Sequence, residues 1–217
     1  MKTPQAIVLP ALFAILAGGC ALLSKADPVR SRSFRLDRPE PPAAASATLA
    51  SSATPTASAP ALRLGRVTSD LHLDERVVYR PASASPHEIA YYGAARWTEP
   101  PAQTLRRMLE RGLFEPHQAA ALRESALPET PRLEVDLTTL DDILGPPHVA
   151  RAELLARLST SAGTLWRATL SVDRPVVPTA GAGDRDAPAA AVDALSAALQ
   201  AAVDATCDGA RQALVAP

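Results

Sequence analysis

The sequence is poor in aromatic residues and has no excess of charge of either sign. Phe, Trp and Tyr make up 4% of its 217 residues, and 22 basic residues stand against 23 acidic ones, for a net charge of −1. Nucleic-acid-binding domains carry a basic patch or stripe, so this balance argues against a nucleic-acid partner. The 21 prolines and the long Ala/Ser/Thr stretches indicate flexible segments around one modest core.

Motifs of catalysis and of metal or nucleotide binding are also missing. The sequence has no GxSxG, Walker, HExxH or CxxC pattern. Its four histidines, His72, His87, His117 and His148, are scattered without ligand spacing, and the last three each follow a proline, which is typical of loops. We therefore expect no enzyme, no cofactor and no metal site.

Two groups of side chains allow both a functional and a structural interpretation. Asp141-Asp142 is a carboxylate pair, but neighbours on a strand point to opposite faces, so a solvated turn is favoured over acid–base chemistry. Tyr91, Tyr92 and Trp97 could stack on a ligand, although core packing is the better interpretation. We expect Trp97 to be buried against the C-terminal helix.

The N-terminus has the pattern of a bacterial lipoprotein signal. Lys2 precedes an apolar run over residues 6–17, which is too short to span a bilayer core of roughly 30 Å. Small residues then lead directly to Cys20 in the sequence LAGGC. This resemblance implies that Cys20 becomes the first mature residue and that its sulfur carries diacylglycerol, with palmitate among the expected acyl chains. An ordinary secretory signal with an incidental cysteine stays open as the alternative.

Lipidation of Cys20 has consequences for the rest of the chain. Acyl chains hold a protein at a membrane at ~0.8 kcal/mol per buried CH₂. By resemblance to sorted lipoproteins, Ala21 after the cysteine favours the outer membrane, with the domain facing the periplasm. Cys207 then has no intramolecular partner, and we expect it to be a small, partly buried apolar residue.

The composition divides the chain into three parts. We expect a signal peptide over residues 1–19, a lipidated N-terminus and tether over 20–33, and a folded domain over 34–217. Phe34-Arg35-Leu36 is a candidate first strand. Residues 38–60, rich in Ala, Ser and Pro, lack periodicity and apolar area, and we expect a disordered insertion there.

Hydrophobic alternation predicts six further strands. Strands are expected over residues 61–68, 76–80 and 88–92, the last two forming a hairpin. Strands over 132–140, 148–159 and 164–173 are joined by links too short for a parallel crossover, which predicts an antiparallel meander.

Helical periodicity predicts two main helices. Thr98 is the expected N-cap of the first, whose apolar face includes Leu105, Leu109 and Leu113, and residues 189–214 form the second. A short helical turn is expected around 118–123. The predicted fold is α+β with two layers: a mostly antiparallel β-sheet with two main helices packed on one face.

Residues 73–113 resemble the ABC-type transport auxiliary lipoproteins of Gram-negative envelopes. The resemblance is carried by LDERVVYR at residues 73–80, IAYY at 89–92 and RWTEP at 96–100. It implies a lipid-anchored partner of a transport system that contains an inner-membrane ABC ATPase and permease and an MCE-domain protein bridging the periplasm. The implied cargo is phospholipid or another hydrophobic molecule, and the implied mechanism is docking of the bridging component.

Other functions stay open at the level of sequence. The chain could instead be a structural lipoprotein that stabilises a secretion or lipopolysaccharide-export assembly without contacting cargo. A lipid-binding carrier is a third interpretation. Homo-oligomerisation is also left open.

Overall fold

The computed structural model describes residues 31–36, 60–82, 85, 87–115, 122–177 and 187–215. The predicted signal peptide, Cys20, nearly all of the predicted insertion and most of the predicted 118–123 turn lie outside these residues. The described residues contain two α-helices and eight strands, together with a short 3₁₀ turn at Leu71–Leu73. The strands are β1 (Arg32–Phe34), β2 (Ala61–Ser69), β3 (Arg76–Arg80), β4 (Ala90–Trp97), β5 (Arg123–Glu124), β6 (Arg132–Ile143), β7 (Val149–Thr160) and β8 (Gly163–Pro175), and the helices are α1 (Pro101–Phe114) and α2 (Ala187–Val215).

Strand β6 is the central strand of one mixed sheet. Along one edge it pairs with β7 over its whole length. Its other edge is shared, because β2 pairs with its first half and β3 with residues 141–143. Strand β4 pairs with β3, and β1 pairs with β4.

The predicted meander and hairpin are confirmed. Strands β6, β7 and β8 pair antiparallel in sequence order, as their short links require, and β3 and β4 form an antiparallel hairpin. The shorter strands join in parallel instead: β2 and β3 run parallel to β6, and β1 runs parallel to β4. The α+β class with two helices is confirmed, with antiparallel pairing confined to the meander and the hairpin.

The core lies between one face of the sheet and the two helices. From β7 it takes alternate residues, among them Ala150, Leu154 and Leu158, and from α2 it takes Leu195 and Leu199, all fully buried. Small residues on both elements let the helix lie close to the strands. Burying one leucine contributes about 1.5–3 kcal/mol, so this face dominates the stability of the fold.

The start of α1 differs from its prediction. Strand β4 continues to Trp97, and the amide of Thr98 still donates a 2.8 Å hydrogen bond to the carbonyl of Phe34 in β1. The N-cap is Pro100, which makes no side-chain cap, so the prediction of Thr98 was wrong. Proline at the first helical position, Pro101, lacks an amide that would need a partner.

The connector after α1 also departs from expectation where it is described. Arg123 and Glu124 form β5, which pairs in parallel with Ala61 and Leu62 of β2. Arg123 therefore belongs to a strand rather than to a helical turn.

The two tryptophans occupy different environments. Trp97 is 8% exposed, and its burial is confirmed. Helix α2, however, lies over β6, β7 and β8, whereas the strands beside Trp97 are β1 and β3. Trp166 of β8 is the tryptophan that touches α2: a Cβ added at Gly209 would lie 2.5 Å from its Cζ2 atom.

Candidate functional site

A buried acidic pair lies where the hairpin meets the central strand. Asp141 and Asp142 are both fully buried and belong to β6, so the prediction of a solvated turn was wrong. The apolar pair that follows them, Ile143 and Leu144, was the sequence signal that the strand continues. The two carboxylates do point to opposite faces, and each finds its own polar partners.

Asp142 joins three elements. It accepts a 2.5 Å hydrogen bond from the hydroxyl of Tyr92 in β4, and its Oδ1 lies 2.6 Å from Nε2 of His148, the residue just before β7. Burial and the neighbouring Asp142 carboxylate raise the pKa of Tyr92 well above its usual value, so the phenol stays protonated and donates. The ring of Tyr79 in β3 packs on Tyr92 with centroids 4.8 Å apart. His148 is a loop residue, as predicted, but it has a definite partner.

Asp141 belongs to a row of alternating charges on the opposite face. Its Oδ2 lies 2.5 Å from Nε of Arg80, and Arg151 stands directly opposite it on β7. Arg151 in turn binds Asp173 of β8 through two hydrogen bonds of 2.7 and 2.8 Å. Hydrogen bonding to Arg151 holds the pKa of Asp173 below its usual value. The row ends at Asp173, on the last strand of the sheet.

These groups link neighbouring strands of the sheet. The Asp142 carboxylate is enclosed by Tyr92 and His148, and Asp141 is covered within the row of charges. Among the described residues there is no group of three or more His, Cys, Asp or Glu side chains that could hold a metal ion.

The stretch that carries the family resemblance is largely a set of structural contacts. Trp97 is in the core, and Arg96 lies 3.5 Å from the Glu75 carboxylate at the base of the hairpin. Glu99 accepts hydrogen bonds from Thr104 and Arg107 in the first turns of α1, and these contacts lower its pKa. The stretch thus fixes the path from hairpin to helix.

One surface hollow lies beside this stretch. It has a volume of about 380 Å³ and is bounded by the 3₁₀ turn and the start of β3. Leu71 at its rim is 89% exposed, and the Arg76 guanidinium lies 5.8 Å from the centre of the Tyr91 ring. Nε2 of His72 is buried there without a hydrogen-bond partner among the described residues.

Cys207 lies at the crossing of the two helices. It is 2% exposed, and burial raises its thiol pKa to about 12, which confirms the prediction of an apolar role. A Cβ on Gly112 of α1 would approach its Sγ to 2.9 Å, so glycine is needed for this close packing. The Arg211 guanidinium binds the Gly112 carbonyl beside it.

The predicted lipidation site, Cys20, lies outside the described residues and stays a prediction. No helix within the described ranges is both long and apolar enough to span a bilayer.

Comparison with known proteins identifies the family. A family model described as the ABC-type transport auxiliary lipoprotein component matches residues 36–206. The match includes β2 to β8, α1 and most of α2. The chain belongs to this family.

The fold of this auxiliary lipoprotein is also found in solved structures. A Xanthomonas campestris protein of the DUF330 family model matches with a TM-score of 0.56 and 20% identity, covering 73% of this chain and 92% of that one. An uncharacterized protein (TM-score 0.49, 15% identity, 69% and 90% coverage) and a candidate lipoprotein from Caulobacter crescentus (0.29, 13%, 52% and 79%) are more distant and carry no structural argument. No curated protein matches the sequence.

Family membership fits the sequence resemblance and makes transport the functional context. The auxiliary lipoprotein family is associated by its description with ABC-type transport. The described residues contribute a sheet-and-helix scaffold in which the buried acidic pair binds neighbouring strands.

Proposed function

We propose that this chain is a lipid-anchored, periplasm-facing component of an ABC/MCE-type envelope transport system, without catalytic activity. In this proposal Cys20 holds the chain at the outer membrane, and the domain docks the MCE-domain component that bridges the periplasm. The system would move lipid or another hydrophobic molecule. The observation that carries the proposal is the family match over residues 36–206, and the resemblance of residues 2–20 to a lipoprotein signal supports it.

The sequence around Cys20 supports the anchor. The run before it is signal-like, and the cysteine follows small residues that fit a peptidase site. Several acyl chains are sufficient for stable attachment, because a single chain gives only marginal binding.

The described domain supports docking over catalysis. Asp141 binds Arg80, Asp142 binds Tyr92 and His148, and the Cys207 thiol is kept protonated by burial. What the domain offers to other molecules is its outer surface, on which charged side chains lie beside exposed apolar ones such as Leu71.

Co-purification from the envelope tests the proposal. The full chain, tagged at its C-terminus, is extracted in mild detergent, and bound proteins are identified by mass spectrometry. We expect an ABC ATPase, a permease and an MCE-domain protein. Recovery of secretion or lipopolysaccharide-export components in their place would contradict the proposal and support a structural lipoprotein.

Fractionation of a Cys20→Ser chain tests the anchor separately. The wild-type chain should sediment with outer-membrane vesicles, and the variant should be soluble or unprocessed. If the variant still sediments with outer-membrane vesicles, the assignment of the anchor is wrong, while the docking proposal stands or falls by the co-purification.

A further inference from the structure

Strand β8 is a long, exposed edge of the sheet. It pairs with β7 on one side, and no strand among the described residues pairs with its other side. Its only irregularity lies near Leu165, and its proline, Pro175, is the last residue. From 166 to 174 the strand therefore carries no bulge or proline, two of the devices that prevent an edge from pairing with another chain. A third device, charge, is present as Arg167, Asp173 and Arg174, so a partner must complement these charges.

On one face, the edge strand carries a positive charge near one end and a negative charge near the other. Arg167 stands directly opposite Arg157 of β7, and Arg157 also faces Glu134 of β6, whose carboxylate lies 2.9 Å from Arg132. Among the described residues, neither Arg157 nor Arg167 lies within ion-pair distance of a carboxylate. Like charges placed directly opposite each other are destabilising. Six positions further on, Asp173 presents a carboxylate at the same edge and on the same face, at the end of the row that contains Arg151 and Asp141.

A second copy of the strand matches this pattern in one register. If β8 pairs antiparallel with β8 of another chain, residues directly opposite each other must lie on the same face of the sheet. Since side chains alternate between faces along a strand, the two residue numbers must both be even or both be odd. When Leu170 lies on the two-fold axis, Arg167 is opposite the other copy's Asp173, twice over by symmetry. Thr169 then faces Ser171, and Ala168 faces Val172. Shifting the centre by one residue either way places Asp173 opposite Leu165 or Thr169 and loses both ion pairs.

We propose that the chain forms a two-fold homodimer by antiparallel pairing of β8, centred on Leu170, which makes one continuous sheet. The row of alternating charges then continues across the axis, because Arg167 of the second copy follows Asp173. The half-buried apolar residues on the helix-covered face, including Leu170 and Val172, gain cover at the same time. The proposal is independent of the transport partner.

The expected dimer is small and is favoured at a membrane. A standard protein–protein interface buries about 800 Å² of accessible surface per partner. Because one pair of strands buries less surface than this, we expect self-association in dilute solution to be weak. Attachment of both copies to one membrane raises their effective concentration without any new contact.

Site-specific disulfide formation in membranes tests the register. The test uses the full chain with Cys207→Ala. In the proposed register, Leu170→Cys places the new thiol of one chain next to the same thiol of the second chain. Ala168→Cys is the matched control, because in this register the two copies of residue 168 are four residues apart along the strands, about 14 Å. We expect several-fold more cross-linked dimer for Leu170→Cys. Equal yields, no dimer for either, or more dimer for Ala168→Cys would overturn the proposal.

Charge exchange tests the ion pairs. In the Leu170→Cys chain, Arg167→Glu or Asp173→Lys alone places like charges opposite each other twice, and dimer formation should fall by about tenfold or more. Co-expressing the two variants places opposite charges together again and should restore a mixed dimer. Unchanged cross-linking in the single variants, or no recovery on mixing when both melt like wild type, would overturn the proposal.

Discussion

Two regions of the molecule contribute to one core by different means. The hairpin region, residues 71–114, is tied to its neighbours by polar pairs such as Tyr92 with Asp142 and Arg80 with Asp141. The meander region, residues 132–175 and 187–215, is held mainly by alternating Leu and Ala packed under an Ala-rich helix. Leucine and alanine patterns are met in many proteins, whereas polar pairs require particular residues. This difference explains why the family resemblance is specific in the hairpin region and generic elsewhere.

Among these substitutions, replacing Trp97 should cause the largest loss in the free energy of unfolding. Trp97→Ala removes a large buried side chain from the edge of the hairpin region, and we expect a loss of about 3–5 kcal/mol in the free energy of unfolding, measured by denaturant titration. Trp166→Ala is the control in the meander region, and it should cost less because Trp166 is only half-buried. A smaller loss for Trp97→Ala than for Trp166→Ala would show that the Trp97 side chain contributes little to holding the hairpin region.

Removing the Asp142 carboxylate tests the polar joint between the regions. Asp142→Ala leaves Tyr92 and His148 without their shared acceptor, and we expect a loss of about 3 kcal/mol. Asp173→Ala, an exposed carboxylate with an arginine partner, should cost only about 0.2–1 kcal/mol. The stability of both variants is measured by thermal and denaturant unfolding. If Asp142→Ala and Asp173→Ala lose the same amount of stability, the buried carboxylate has no special role.

The contact between α2 and β8 is sensitive to volume. Gly209→Ala places a methyl group 2.5 Å from Trp166, and overpacking of about 1–3 kcal/mol is partly offset by about 1 kcal/mol of helix propensity. We expect a net loss near 1 kcal/mol. Gly93→Ala meets nothing within 4 Å and should be nearly neutral, so a similar loss there would show that the meander contact is not special.

The smallest expected effect is the contribution of Glu99 to stability, and it depends on pH. Arg107 and Thr104 lower the pKa of Glu99 below its ordinary 4.5, so the carboxylate stabilises the fold at neutral pH by about 0.5 kcal/mol. This contribution is complete above the unfolded-state pKa and is lost as pH falls through the lower folded-state pKa. The difference in stability between wild type and Glu99→Gln should therefore vanish in acid. A difference that persists in acid would point to packing instead of charge.

The sequence was sufficient for the elements but not for all of their partners. Alternation along residues 132–140 and the short links predicted the meander correctly, because pairing there is local. The parallel pairing of β2 and β3 with β6 was not foreseen, since it joins segments far apart in the chain. The acidic pair was misjudged because the strand period shifts between Leu137 and Thr139, which turns Asp142 toward the inner face. The Thr98 cap was predicted one residue after β4 ends, where the Thr98 amide still donates a hydrogen bond to Phe34 of β1.

The central claim, that this auxiliary lipoprotein serves an ABC transport system, is tested most directly in cells. Sensitivity of the envelope to a hydrophobic compound is measured in strains that lack this chain, the ABC ATPase recovered with it, or both. We predict that the two single losses give the same sensitivity and that the double loss is no worse than either. A double loss that is clearly worse than both single losses would mean that the two proteins act separately, and it would contradict the account.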